Sequence, residues 1–132
     1  MKNYRIKIST PSHQSLVPFT DKVREGVKKL GLIDGAVHLF VLHTTCGLTI
    51  NENADPAVVD DLLRRLEHLV PWHDSFDQHR EGNSAAHLRS SLFGPSLTIP
   101  VENEKLVLGT WQGVFLAEFD GPRSRQVVMT AL

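Results

Sequence analysis

The C-terminal stretch limits the fold more than any other part of the chain. "SLTIPV" (96–101), "KLVLG" (105–109), "GVFLAEF" (113–119) and "RQVVMTAL" (125–132) are four apolar, β-branched runs. Short polar turns join them, with "ENE" connecting the first pair and "DGPR" the last pair. Runs of this length, closely spaced and broken by turn residues, read as antiparallel strands. The N-terminal half adds more. "YRIKI" (4–8) alternates apolar and charged residues, as a half-exposed strand does. "SLVPF" (15–19) suits an edge strand, because Pro18 cannot donate within a central ladder. "AVHLFVLHTT" (36–45) and "GLTIN" (47–51) read as buried strands, with "TTCG" as the short connection between them.

Helical periodicity appears in three places. Val23, Val27 and Leu30 share one face of a helix that Thr20 caps and Gly31 ends. Asp55-Pro56 is a strong helix start, a capping carboxylate followed by proline at the first helical position. Val59, Leu62, Leu63, Leu66 and Leu69 follow at helical spacing, up to Pro71. Residues 71–83 look irregular. "NSAAHLRSSLFG" is a short helix capped by Asn83 or Ser84 and closed by Gly94, with Leu88 and Leu92 facing inward. Seven or eight strands and two or three helices predict a single α+β domain over 1–132, a sandwich-like core of two antiparallel sheets. The long apolar strand at the C-terminus would invite association if it lay at an edge, so a homo-oligomer is expected.

Composition narrows the function. Fourteen basic and 15 acidic residues leave a net charge of -1. This argues against broad binding to nucleic acid or an anionic membrane surface. No apolar run approaches the length of a membrane span, and "MKNYRIKIST" has no apolar leader segment. The single cysteine, Cys46, allows no internal disulfide, which suits a cytoplasmic location.

Seven histidines are many for 132 residues. In "VHLFVLH", period two places Val37, Leu39, Val41 and His43 on one face. His43 there is either a buried ring bonded to a carbonyl or a ligand facing a cleft. "HREGNSAAH" holds His79 in the irregular loop and His87 one turn into the short helix. A loop folding back over the helix N-terminus can bring the two together. With His43, three neutral imidazoles would form a tridentate site for a divalent metal, zinc first, with an open fourth position. The other reading is a solvated polar loop.

"INENADP" puts Glu52 on the same strand face as Leu48 and Ile50, where a carboxylate can act as general acid or base. Asn53 and Asp55 are equally readable as turn and cap residues. If "HTTCG" is a tight hairpin, Glu52 pairs near Leu39, roughly 13 Å from His43. The two would then not share a metal within one chain. In "LGTWQGVFLAEFD", Gly109 and Gly113 bracket a bend that presents Trp111 and Gln112, or that buries Trp111 as a core plug. Alternation aims Glu118 inward with Val114 and Leu116. Cys46 beside His43 invites a thiol-nucleophile reading, which little else nearby supports.

Taken in order, "HTTCGLTINENADP", "HREGNSAAHLRSSLFGPSLTIPV" and "LVLGTWQGVFLAEFDGPR" resemble the YjbQ family over nearly the whole chain. That resemblance implies a two-sheet α+β fold assembled as a trimer, metal-binding histidines at His43, His79 and His87, and a weak, secondary thiamine-phosphate synthase activity. The expected function is a metal-dependent enzyme acting on a small phosphorylated metabolite. Its rival is a non-catalytic trimer that binds metal or metabolite. In the enzyme reading Glu52, Asn51 and Gln112 are catalytic, and Trp111, Asn53, Asn83 and Arg80 position the substrate. Arg89 and Arg123 are further candidates for binding phosphate.

Overall fold

Buried and more exposed residues alternate along four of the strands, and this is what lets them share one open sheet with a short fifth. In the computed structural model, which describes residues 2–132, that sheet runs in the order β1 (Asn3–Ser9), β8 (Ser124–Ala131), β3 (Gly35–Val41), β5 (Ser96–Glu102), β6 (Lys105–Leu106). Its inner face carries Ile6, Ile8, Val37, Leu39, Val41, Ile99, Val101, Val127 and Met129. A second, three-stranded sheet runs β2 (Ser15–Pro18), β7 (Gln112–Glu118), β4 (Cys46–Glu52). All neighbouring strands pair antiparallel.

β7 lies at the centre of the small sheet, and every residue from Gly113 to Glu118 is buried. One face, with Val114 and Leu116, meets the large sheet and helix α1 (Thr20–Leu30). The other, with Phe115 and Ala117, packs under helices α2 (Pro56–Leu69) and α3 (Ser84–Phe93). Burial on both faces explains why "GVFLAEF" is apolar without alternating. The described residues therefore form an α+β fold, with three helices and two antiparallel sheets.

Several local expectations hold. Gly31 ends α1 in the left-handed conformation, and the Asp55 carboxylate accepts the Ala57 N–H at 2.9 Å. "ENE" is a hairpin turn between β5 and β6, with Asn103 and Glu104 both at positive φ, as the twist of a tight hairpin requires.

Others are corrected. β3 and β4 do not form a hairpin: they belong to different sheets, and Glu52 pairs with Gln112 rather than near Leu39. "DGPR" likewise carries the chain from one sheet to the other. The strand expected over 105–109 ends at Leu106. β8 is not an edge strand, since β1 and β3 flank it, so the edge-based case for association falls. Thr20 does not cap α1; its hydroxyl accepts the Val114 N–H at 2.9 Å. α3 turns Ala85, Ala86, Arg89 and Ser90 inward, while Leu88 and Leu92 face solvent.

α3 sits close against β4 because of Gly47. A Cβ there would stand 2.9 Å from both the Gly94 oxygen and the Phe93 Cβ. Neither neighbour is the end of a flexible side chain. Gly47→Ala is expected to cost about 1–3 kcal/mol, read as a lower urea midpoint with an unchanged m-value. An unchanged midpoint would mean that α3 is free to shift.

Candidate active-site cleft

The backbone brings "HREGNSAAH" together with the end of β3. The His79 carbonyl accepts the Gly82 N–H at 3.1 Å, and Gly82 takes a positive φ of 69° that closes the turn. The loop thus folds back over the start of α3, and the His79 and His87 rings meet edge to face with centroids 5.4 Å apart. The Glu81 carboxylate stands 3.9 Å from His79 Nε2. Across from them lies the segment that leaves β3. Between the two walls is a cleft of about 430 Å³ lined by Leu42, His43, Thr44, Thr45, His79, Glu81, Asn83, His87, Asp120, Arg123 and Arg125.

Its floor is a buried ion pair. Arg125 donates from Nε to Glu118 Oε1 at 2.8 Å and from its terminal nitrogen to Oε2. Both side chains are almost wholly buried, at 4% and 0% exposure. Glu118 also accepts the Thr10 hydroxyl at 2.8 Å and the Asp120 N–H at 3.0 Å. Arg125 further donates to the Thr45 hydroxyl at 2.8 Å. Burial alone would raise the Glu118 carboxyl. The bonds from Arg125, Asp120 and Thr10 outweigh it and hold the group below the ordinary carboxylate range.

The rim is tied to this floor. Asp120 accepts from Asn83 Nδ2 at 2.9 Å and from Arg123 at 3.0 Å. Asn83 occupies the N-cap position of α3 but makes no capping bond, and its Oδ1 is buried without a partner. His43 accepts the Gln126 N–H on Nε2 at 2.8 Å. Burial, then the nearby Arg125 charge, lower its pKa. Burial pushes the Cys46 thiol up to about 11, so it is no thiolate nucleophile.

His43, His79, His87, Asn83 and Arg123 therefore share one cleft. The other expected residues do not join them. Asn51, Glu52, Asn53 and Gln112 sit at the far end of β4 and β7, six residues from Cys46, or roughly 20 Å along the strand. Asn53 and Gln112 border a separate cavity of about 460 Å³ beside Thr20 and Arg24, and Glu52 a smaller one of about 220 Å³. Their polar atoms serve local structure: Gln112 Oε1 accepts the Gly109 N–H at 2.7 Å, and Asn51 Oδ1 accepts the Glu52 N–H at 2.7 Å. Trp111 is no core plug, being 63% exposed. Arg80 is exposed outside the cleft. Arg89 is buried elsewhere, donating to the Val70 carbonyl and to Gln14.

Sequence reasoning missed Arg125, Asp120, Thr45 and Glu81. Arg125 carried a readable signal. It is the one charged residue inside a strand run otherwise made of apolar and neutral residues, and its period-two partners Val127 and Met129 face the core.

The donor set can be tested against a divalent metal. Among the described residues no three His, Cys, Asp or Glu side chains are gathered closely enough to hold an ion. The His43 Nε2 lone pair is already engaged. His79 and His87 are the two imidazoles on the α3 side that would suit zinc as nitrogen donors.

Fold and cleft together define a two-sheet α+β protein with a histidine-lined pocket over a buried ion pair. The chain belongs to the YjbQ-like UPF0047 family, whose model matches residues 4–132. The UPF0047 protein YugU of Bacillus subtilis is 46% identical over 120 residues, 91% of each chain. The UPF0047 protein MJ1081 of Methanocaldococcus jannaschii is 46% identical over 123 residues, 93% of this chain and 88% of that one. A crystal structure of a family member from Clostridium acetobutylicum superposes with a TM-score of 0.94 at 43% identity, covering 98% of this chain and 99% of the other. A conserved hypothetical protein from Thermus thermophilus gives 0.90 at 50% identity, with the same coverage.

Glu118→Gln is expected to lower stability by about 3–5 kcal/mol at neutral pH, because it leaves Arg125 buried and unpaired. The folded pKa of Glu118 is depressed, so its contribution is present above the ordinary carboxylate range. It is lost as pH falls through the folded value. The gap between wild type and variant, followed by denaturant unfolding, should therefore close in acid. A gap that stays constant down to acid pH would mean that the pair does not hold the floor.

Proposed function

We propose that the cleft between His43 and the His79–His87 wall is a metal-dependent active site for a small phosphorylated metabolite. The observation that carries this reading is the gathering of three imidazoles and Arg123 around a pocket of about 430 Å³, a size suited to a small ligand. His79 and His87 would hold the divalent ion, zinc first. A bound ion supplies Lewis acidity or an activated water. Arg123 is half-exposed at the rim, where its guanidinium suits a phosphate group. Asn83 lines the same cleft, its Nδ2 bonded to Asp120. The family resemblance supports a weak thiamine-phosphate synthase activity as a side reaction.

One observation favours a second reading, a non-catalytic protein that binds metal or metabolite. The carboxylate under the cleft, Glu118, is held ionised by Arg125 and has no proton to give.

The resemblance also supports a cytoplasmic homotrimer. The outer face of the large sheet is the surface it would use: among the described residues no helix packs on it, and Phe40 stands out from it at 42% exposure. Glu52, Asn51 and Gln112 enter a site in this reading only through a neighbouring chain.

Two measurements test the proposal. Untagged protein should carry about one zinc per chain after reconstitution. His79→Ala/His87→Ala should carry none while unfolding at the same denaturant concentration. A wild type that binds no zinc would sink the metal-dependent reading and leave metabolite binding. Phe40→Asp should convert a trimer to monomers in sedimentation; wild type that sediments as a monomer would end the trimer reading.

A further inference from the structure

The three imidazoles of the cleft are not chemically equivalent. A backbone N–H can only donate, and Gln126 N lies 2.8 Å from His43 Nε2. Nε2 must therefore present its lone pair there. A neutral imidazole has one donor and one acceptor nitrogen, so the proton sits on Nδ1. An imidazolium would turn an N–H toward the Gln126 N–H, donor against donor, in a place where Arg125 already supplies a fixed positive charge. We infer that His43 is held as the Nδ1–H tautomer, a hydrogen-bond donor that recognises an anionic oxygen of the ligand and takes no part in metal binding.

The backbone explains why this tautomer is fixed. His43 follows β3 directly, and the neighbouring Leu42 N–H is bonded to the Gln126 carbonyl at 3.3 Å. The ring thus accepts from the N–H of the same residue whose carbonyl anchors the segment. Rotating His43 to free Nε2 would orphan a partly buried N–H on β8. Metal coordination through Nδ1 would require removing its proton to leave an imidazolate. His79 and His87 show no such bond among the described residues: their rings meet each other, and the Glu81 carboxylate stands 3.9 Å from His79 Nε2. The cleft is therefore divided. The α3 side offers nitrogen lone pairs to a cation. The opposite wall carries His43, Thr44 and Arg123, whose guanidinium keeps one terminal nitrogen beyond its bonds to Asp120, and this is the wall that would take an anion. A ligand with a phosphate or carboxylate oxygen satisfies the second wall, and an uncharged apolar one does not. The recognition half rests on the proposed binding site; the tautomer half does not.

The test is nitrogen NMR on the full chain with labelled histidine and backbone. A scalar coupling across the hydrogen bond from Gln126 N to His43 Nε2 should be visible. Long-range proton–nitrogen correlations should show His43 protonated on Nδ1. Added zinc should move the His79 and His87 nitrogens and leave those of His43 in place. Added inorganic phosphate should shift the His43 Nδ1–H signal saturably. The trans-bond coupling assigns His43 without a variant, so a His43→Gln protein that fails to fold costs nothing. An Nε2–H tautomer, or zinc-induced shifts at His43 matching those at His79 and His87, overturns the inference. A His43 Nδ1–H signal unmoved by phosphate overturns its recognition half. Zinc that moves none of the three histidines, with His43 still the Nδ1–H tautomer, supports this inference while removing the metal reading of the preceding section.

Discussion

The Glu118–Arg125 ion pair is the interaction on which the rest of the cleft depends. It joins the end of β7 to the start of β8, two strands that lie in different sheets. Through Thr10 it reaches the end of β1, through Thr45 the segment after His43, and through the Asp120 N–H the loop that carries Arg123. Removing two charges from water is expensive, and the pair is tolerable because bonds from several directions satisfy its oxygens and nitrogens. Those same bonds set the positions of the groups above it. Asp120 then orients Asn83 and Arg123. A core interaction and a binding site are here parts of one network.

A second constraint is the length of the strands in the small sheet. β4 and β7 run antiparallel over seven residues each, with Cys46 opposite Glu118 at one end and Glu52 opposite Gln112 at the other. The "NEN" and "GTWQG" stretches are neighbours across this ladder, and their fit is steric as well as polar. A Cβ on Gly113 would stand 2.6 Å from the Asn53 Cβ. Their distinctive composition thus has a structural reason in the bend after β6 and its contact with Asn53. They stand a full strand away from the histidines, so one chain does not assemble both groups into a single site.

Much of the fold was legible because it follows from local physics. The Asp55-Pro56 start, the left-handed Gly31 stop, the hairpin turn at Asn103-Glu104 and the alternation of β1 all express preferences of a few adjacent residues. The errors came where two sequence neighbours part company in space. "HTTCG" and "DGPR" read as tight connections, and both carry the chain between sheets. Turn residues report that a chain changes direction, not which layer it enters. α3 departs from its apolar pattern for a related reason. Its apolar Leu88 and Leu92 face outward, because Gly47 and the small residues Ala85 and Ala86 let the helix lie close against the sheet on its other side.

The sequence by itself determined the element types, the two-sheet class and most of the apolar core positions, and it offered the three cleft histidines as candidates. Each of these depends on side-chain period or residue chemistry, which a linear string preserves. Only the tertiary structure decided that His79 and His87 form a pair while His43 faces them with its Nε2 already taken by Gln126. It alone placed Arg125 beneath them and Glu52 far away. Those facts depend on the pairing of strands distant in sequence and on the direction of individual hydrogen bonds. Neither has a signature in any short run of residues.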